Sequence, residues 1–181
     1  MKIIKPIPPK VYLACSGGVD SVAALHFLIS GRRDVSLIHI NHGTPMANTY
    51  EYSVRMLSRI YGIKLDVYPI KGKTEKDWRD ERYKIFESYD GTVITCHHYD
   101  DNLETMIMRK RPIPHKRGNI LRPFLQARKQ ELIDYAIHHN LTWVEDPTNY
   151  DPDYCERNRI REAILRLREV NYEDFNSSTE F

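Results

Sequence analysis

The sequence predicts an α/β fold in which a doubly wound, mainly parallel sheet is followed by a C-terminal helical segment. Short apolar runs alternate with segments of helical spacing, and this alternation is typical of parallel strands covered by helices. The apolar runs are nearly unbroken Val, Ile and Leu, as in strands buried on both faces. A chain of 181 residues can bury a substantial core. We expect one domain, large enough to be a catalytic domain, over residues 1–170, followed by a frayed tail over 171–181.

The individual elements follow from periodicity and turn residues. Thr74 and Asp77 resemble a capping box, in which side chain and backbone at a helix start bond reciprocally. Gly31 and Gly62 are expected to end the first two helices. Strands are predicted at 11–15, 35–40, 64–70 and 92–96. Helices are predicted at 21–30, 47–61 and 75–89, from about 101, and at 128–139 and 154–169.

Composition excludes several classes of protein. Hydrophobic residues make up 41% and charged residues 29%, as in ordinary globular proteins. No apolar run approaches the roughly 20 residues of a membrane span, and the first ten residues lack a signal peptide's apolar stretch, so we expect a cytoplasmic protein with no membrane partner. Cys15, Cys96 and Cys155 are odd in number and widely separated, which argues for reduced thiols and against a disulfide framework.

The stretch SGGVDS, Ser16 to Ser21, lies where the first strand meets the first helix. Two glycines let the backbone approach an anion, and the helix N-terminus adds partial positive charge. The two serines can add hydroxyl donors. Asp20 suits a phosphate site only if it holds Mg²⁺, since like charges repel; otherwise it is a helix cap. A plain glycine turn is the alternative interpretation.

A second stretch, HHYDDNLET, lies where the fourth strand becomes the fourth helix. Asp101 and Glu104 are three apart in sequence, so both carboxylates are expected on one helical face. Paired carboxylates could bind an ammonium group and accept its proton when it attacks. The alternative is a helix start with acids that favour its dipole.

These stretches carry a family resemblance. SGGVDS resembles the pyrophosphate-binding motif of the PP-loop ATP pyrophosphatases, which have a Rossmann-like fold. Over about residues 10–168 the chain resembles tRNA(Ile)-lysidine synthases, through SGGVDS, INHG, RDERYKIF, HHYDDNLET, LRPFL and WVEDPTNYDPDYCERNRIR in order. The resemblance implies ATP-dependent adenylation of the wobble cytidine of tRNA(Ile) with anticodon CAU. Attack by free L-lysine would then give lysidine, AMP and pyrophosphate.

The resemblance also implies roles for individual residues. Asp20, Asp101 and Glu104 would be catalytic, with Asp20 on Mg²⁺ and the other two on lysine. His98 would line the pocket with His42. Residues implied to bind ATP are Ser16, Gly17, Gly18, Val19, Asp20, Ser21 and His42. Candidates for tRNA contact are Arg82, Arg109, Lys110, Arg111, Lys116, Arg117, Arg157, Asn158 and Arg161.

The chain departs from that family in two places. The family's glycine-rich RGSG-type loop is replaced by RKRPIPHKRGN, within a window from Glu104 to Glu131 that contains no acid between its ends. This basic loop could contact tRNA backbone or be a solvated loop. Family members usually continue into further tRNA-binding domains, so we expect a minimal enzyme, a fragment, or reliance on a second copy or helper protein.

Two other functions remain open from the sequence. One is a different PP-loop tRNA-modifying enzyme, such as a thiolase. Thiolation commonly uses a CxxC arrangement, and the sequence contains none. The other is a non-catalytic nucleotide- or RNA-binding relative that kept the fold and lost turnover. Release of pyrophosphate from ATP would separate an enzyme from this second alternative.

Overall fold

The computed structural model describes residues 3–4, 6–72 and 74–177 of the chain. The chain divides into two compact units. The first comprises Met1–Asn102 with Ile113–Glu145, and the second comprises Leu103–Pro112 with Asp146–Phe181.

The first unit is built on a sheet whose described strands have the order β3-β2-β1-β4-β6-β5. The strands are β1 Lys10–Ala14, β2 Asp34–Asn41, β3 Leu65–Pro69, β4 Val93–Ile94, β5 Lys116–Arg117 and β6 Ile120–Leu121. All neighbours pair in parallel except β5 and β6. The expected α/β fold with a mainly parallel sheet is confirmed. Because β1 has β2 on one side and β4 on the other, the strand order reverses at β1, and such a reversal opens a crevice beyond the carboxyl ends.

The helices lie close to the expected positions. They are α1 Val19–Ser30, α2 Ala47–Tyr61, α3 Glu75–Glu87, α4 Tyr99–Arg109, α5 Lys129–His138 and α6 Glu156–Ser177, with a short 3-10 helix at Pro147–Tyr150. The start of α4 belongs to the first unit and its remainder to the second. α6 continues beyond the predicted end at 169 to Ser177, so residues 171–177 of the predicted tail are helical, and residues 178–181 lie outside the described residues.

The capping box at the start of α3 is confirmed. The Asp77 N–H donates to Thr74 Oγ1 at 3.1 Å, and the Thr74 N–H donates to Asp77 Oδ2 at 3.0 Å. These two bonds satisfy donors that a helix start otherwise leaves without partners. The reciprocal pair therefore fixes where α3 begins.

The core of the first unit lies on both sides of β1. Leu13, Leu25 and Leu28 are buried together with Phe124 and Leu132, so α1 and α5 pack on one face of the sheet. A smaller buried cluster combines Phe86 of α3 with residues of three strands, Ile38, Val93 and Ile120. This burial fixes the carboxyl end of β1, from which the SGGVDS segment continues. No helix among the described residues is long and apolar enough to span a membrane.

Candidate active site

A tight glycine turn follows β1 and leads directly into α1. Residues 15–18 make the whole connection. Gly17 has φ +89°, and a Cβ added there would lie 3.4 Å from the backbone oxygen of Tyr50. Gly18 is the extended N-cap residue of α1. The turn therefore brings bare backbone to a helix N-terminus, an arrangement that favours phosphate binding.

Serine hydroxyls brace this turn from within. Ser21 Oγ donates to the Gly18 carbonyl at 2.9 Å and accepts from the Gly17 N–H at 3.1 Å. Ser16 Oγ accepts from the Gly18 N–H at 3.3 Å. Val19 and Ser21 are 6% and 3% exposed. Their side chains thus support the turn, and a contact from Val19 to a ligand would come from its backbone N–H.

Three carboxylates surround His98 at the N-termini of α1 and α4. His98 Nε2 lies 3.8 Å from Asp20 Oδ1 and 3.4 Å from Asp101 Oδ2. His98 Nδ1 lies 3.8 Å from Asp100 Oδ2 and accepts the Asp101 N–H at 3.3 Å. Since Nδ1 accepts that bond, the proton of a neutral ring lies on Nε2, facing Asp20 and Asp101. The fold thus joins the SGGVDS and HHYDDNLET segments.

Asp101 also has a structural bond in this cluster. Its Oδ2 accepts the His98 N–H at 3.0 Å, so the carboxylate caps the start of α4 while facing the imidazole. The side chain keeps 18% of its surface exposed. A carboxylate has several lone-pair positions, so the capping bond occupies only one of them.

Lys129, the first residue of α5, belongs to the same cluster and was missed by the sequence interpretation. Its Nζ donates to both carboxylate oxygens of Asp20, at 2.7 and 2.8 Å. Its backbone N–H donates to Asp100 Oδ2 at 2.7 Å. The only signal in the sequence was its place in the acid-free window, where nothing distinguished it from the other cations.

In the second unit, Glu104 is held in a buried ion pair. Glu104 is 1% exposed. Arg161 Nε and Nη2 donate to its two oxygens at 2.7 and 3.3 Å. Arg157 Nη1 lies 3.9 Å from Oε2. A lysine ammonium that bound Glu104 would therefore have to share or replace a guanidinium partner.

Asn158 also has hydrogen-bond partners within the second unit. Its Nδ2 donates to the carbonyls of Thr148 and Asp151, at 2.6 and 2.7 Å, and the residue is 6% exposed. These bonds use both hydrogens of the side-chain amide. Asn158 thus holds the loop before α6 in place.

An aromatic pair lies beyond the carboxyl end of β2. The rings of His42 and Trp78 are stacked, with centroids 5.9 Å apart and planes 17° from parallel. Burial, assisted by the charge of Arg82, lowers the pKa of His42 to about 4. His42 Nδ1 and Trp78 Nε1 are buried and have no hydrogen-bond partner among the residues that the structure describes. A neutral imidazole beside an indole suits a nucleobase, and Trp78 was missed because its periodicity indicated only a helix position.

The basic segment after α4 is partly ordered into a hairpin. Lys116 and Arg117 form β5, which pairs with β6, whereas the sequence predicts a loop. Strands of two residues are too short to show alternating hydrophobicity. The Arg117 guanidinium lies 4.3 Å from the ring centroid of Tyr83 and 3.1 Å from Glu87 Oε1. Arg109 ends α4, and Lys110 and Arg111 follow it in the second unit.

With this geometry established, comparison with known proteins identifies the family. The sequence profile of the PP-loop domain matches residues 2–168. The chain belongs to the PP-loop domain family. It is 33% identical to the tRNA(Ile)-lysidine synthase of Pseudomonas aeruginosa over 183 aligned positions, which cover 86% of this chain and 41% of that protein. The tRNA(Ile)-lysidine synthase of Methylococcus capsulatus is 31% identical over 180 positions, covering 84% and 41%.

The PP-loop chain spans 41% of the length of these two curated relatives. Among solved structures, it is similar to NMN synthetase from Francisella tularensis, with TM-score 0.52 and 13% identity over 86% of this chain and 77% of that one. At this identity the likeness concerns the fold alone. It agrees with the doubly wound sheet expected from the sequence.

In the PP-loop domain, Asp20 is the residue that the sequence assigns to Mg²⁺. A carboxylate is a suitable hard ligand, and 29% of this side chain is exposed. Both of its oxygens are bound by Lys129. The described residues contain no group of three or more His, Cys, Asp or Glu placed to hold a metal. A magnesium ion here would take its other ligands from phosphates and water, as is usual for this ion.

The cysteines of the PP-loop domain do not form a reactive pair. Cys15, Cys96 and Cys155 are free. Burial raises the pKa of the Cys15 thiol and raises that of Cys96 well above its ordinary value. Both thiols therefore stay protonated at neutral pH, whereas sulfur transfer needs a thiolate.

Proposed function

We propose that this chain is a tRNA(Ile)-lysidine synthase. It would join free L-lysine to the wobble cytidine of tRNA(Ile) with anticodon CAU, at the expense of ATP. The observation that carries the proposal is the similarity to lysidine synthases over 86% of the chain. The carboxylate cluster at the starts of α1 and α4 supplies groups that fit the chemistry. The substrates imply that the reaction takes place in the cytoplasm.

In the first step, the SGGVDS turn would hold the triphosphate of ATP. Backbone N–H groups at the start of α1 would donate to phosphate oxygens, and the helix dipole favours the added charge. Bound Mg²⁺ would neutralise phosphate charge, with Asp20 as its protein ligand. Cytosine O2 attacks the α-phosphorus, the bond to the β-phosphate bridging oxygen breaks, and pyrophosphate leaves. His42 and Trp78 would orient a base.

In the second step, lysine would attack the adenylated base. Asp101 and Glu104 would bind the ε-ammonium, and one of these carboxylates would accept the proton that the amine must lose. The amine then forms a bond to C2, and the C2–O2 bond breaks as AMP leaves with that oxygen. Holding the amine close to C2 supplies much of the rate.

Binding of tRNA is assigned to cationic residues of both units and to the neutral Asn158. Arginine suits phosphate because its planar guanidinium donates two parallel hydrogen bonds. Lys110 and Arg111 are exposed and follow directly on α4. The assigned residues are Arg82, Arg109, Lys110, Arg111, Lys116, Arg117, Arg157, Asn158 and Arg161. For Asn158 and Arg161 this role requires that they exchange the internal partners described above.

The test is reconstitution with defined substrates. Protein, ATP, Mg²⁺, isotopically labelled lysine and unmodified tRNA(Ile) bearing CAU are incubated, and the digested nucleosides are weighed. We expect cytidine plus lysine minus water. Asp101→Asn should abolish the product because it removes the proposed lysine ligand. Asp90→Asn, at an exposed aspartate after α3, should retain it.

Other results would redirect the assignment. Release of pyrophosphate from ATP without formation of lysidine, on any tRNA offered, would contradict lysine as the nucleophile. Activity that depends on Cys96 or Cys155, tested by alanine substitution, would favour thiolation. Absence of ATP turnover together with tight nucleotide or RNA binding would identify a non-catalytic relative.

A further inference from the structure

Lys129 binds a carboxylate in the first turn of the helix that follows the glycine turn. Its ammonium contacts both oxygens of Asp20 at 2.7 and 2.8 Å. Asp20 lies in the first turn of α1, directly after Gly18 and Val19. A phosphate bound at that turn would be repelled by the carboxylate unless a positive charge lay between them. Lys129 is a cation in direct contact with that carboxylate.

The charge balance of the cluster depends on this lysine. Asp20, Asp100 and Asp101 all lie within 4 Å of His98, at 3.8, 3.8 and 3.4 Å. Three carboxylates so close together repel one another. Lys129 binds Asp20 with its side chain and Asp100 with its backbone N–H, so it offsets part of this repulsion.

The backbone and the side chain of Lys129 have separate attachments. The backbone is fixed by the bond to Asp100 and, two residues earlier, by the bond from the Tyr99 N–H to the Ala127 carbonyl at 2.8 Å. The side chain is 39% exposed and reaches Asp20 through a flexible stem. The ammonium can therefore change partner while α5 stays in place. A part-exposed ion pair also costs little to exchange.

We propose that Lys129 is a phosphate ligand that is held on Asp20 until nucleotide binds. When the Mg²⁺–ATP complex enters, the ammonium moves from the carboxylate to the β- and γ-phosphates, which later leave as pyrophosphate. Asp20 is thereby released to bind the divalent ion. The inference rests on the proposed function, since it assigns a residue to the ATP site of that reaction.

The competing explanation is a purely structural ion pair. In that case Lys129 serves only to neutralise Asp20, and it has no contact with the nucleotide. The two explanations predict different behaviour once the charge of Asp20 has been removed by substitution. A structural partner becomes unnecessary, whereas a phosphate ligand is still needed.

The experiment measures the Kd of pyrophosphate, and separately of Mn²⁺ as a Mg²⁺ probe, for the full chain and its variants. We expect Lys129→Met to weaken pyrophosphate binding about tenfold or more, as for loss of a charge-assisted bond. The same variant should bind Mn²⁺ alone more tightly, because Asp20 no longer has an ammonium partner. Lys129→Arg should retain part of the pyrophosphate affinity. Lys64→Met, at an exposed lysine, should change neither Kd.

The decisive comparison is made in the Asp20→Asn background. There Lys129→Met should still weaken pyrophosphate binding, and the effect on Mn²⁺ should disappear. A loss that vanishes in this background, or a Lys129→Met variant with wild-type pyrophosphate affinity, would overturn the proposal. Circular dichroism and thermal unfolding confirm that each variant is folded.

Failure of this inference is distinguishable from failure of the proposed function. Wild-type binding of pyrophosphate with the expected variant pattern, but without lysidine formation, would support Lys129 and contradict the lysine reaction. Lysidine formation with unchanged pyrophosphate affinity in Lys129→Met would support the lysine reaction and contradict the role of Lys129.

Discussion

Asn158 and Arg161 are both predicted from the sequence to meet RNA, and in the second unit each has an internal partner. Asn158 binds two backbone carbonyls, and Arg161 neutralises the buried Glu104. The residue type alone could not reveal these internal partners, because arginine and asparagine suit both phosphate contacts and internal hydrogen bonds. Individual partners depend on which segments the fold brings together.

Substitution of Asn158 should therefore lower stability whatever its effect on RNA. Asn158→Ala removes two buried bonds, at a cost of about 2 kcal/mol in the free energy of unfolding. The Thr148 and Asp151 carbonyls then keep only the longer bonds from the Asp151 and Tyr154 N–H groups, at 3.4 and 3.2 Å. Urea denaturation measures it. Asn48→Ala, at an exposed asparagine in α2, is the control. An unchanged urea midpoint for Asn158→Ala would contradict the structural role.

The lowered pKa of His42 predicts a pH dependence of stability. Its ordinary pKa is 6.5, and burial lowers it to about 4 in the folded chain. Between these values the unfolded state binds more protons, so the contribution of His42 to stability falls as pH drops from 6.5 towards 4. His42→Gln should remove this part of the acid sensitivity. Urea midpoints from about pH 7 to about pH 4.5 test it, with exposed His138→Gln as the control.

A direct titration checks the same residue. The His42 ring proton resonance should titrate near pH 4 in the folded protein. A midpoint near the ordinary value of 6.5 would contradict the buried, neutral imidazole.

At the scale of elements, local signals predicted helix starts better than short strands. The Thr74 and Asp77 pattern predicted a capping box, and both of its bonds are present. β5 and β6 were not predicted, because Lys116–Arg117 and Ile120–Leu121 are too short for any periodicity. They are strands because each pairs with a neighbouring strand in the folded sheet: β6 pairs with β4, and β5 pairs with β6. Asn119, between them, donates to the carbonyls of Phe86 and Tyr89 at 2.8 and 3.0 Å.

The α3 cap provides an element-scale prediction. Thr74→Ala should lower the free energy of unfolding by about 1 kcal/mol, because the Asp77 N–H loses its acceptor. Thr74→Ser keeps the hydroxyl and should be close to wild type. Hydrogen exchange at the first turn of α3 should be faster in the alanine variant alone. Equal exchange in both variants would show that the cap does not hold the helix start.

At the scale of the whole molecule, the net charge of +2 conceals a strongly basic window. Its first three cations, Arg109 at the end of α4 and then Lys110 and Arg111, are all exposed. Other exposed cations, Lys10 and Lys64, lie at the amino ends of β1 and β3. Proteins that bind nucleic acid through such windows show affinities that fall steeply with salt.

Binding of tRNA, the proposed partner, tests whether this uneven distribution of positive charge forms an RNA surface. Replacing Arg109, Lys110 and Arg111 by Gln should weaken tRNA binding, and the slope of log Kd against log salt should fall by about one unit for each phosphate that is no longer neutralised. The control replaces three exposed cations at the amino ends of the strands or the end of α2. These are Lys10, Arg59 and Lys64. Equal effects of the two triple variants would indicate a general charge effect and no defined RNA surface.

The sequence by itself determined the fold class, most helix positions and the glycine turn, because these depend on local periodicity and on residues with special backbone freedom. It also placed Asp20 and Asp101 in one predicted site, because parallel strands end at a common edge. Only the tertiary structure decided which groups touch. It brought Lys129 onto Asp20, Trp78 onto His42 and Arg161 onto Glu104, since the segments that carry these pairs are distant in the sequence. Periodicity specifies the face of an element, whereas a contact depends on how two elements pack.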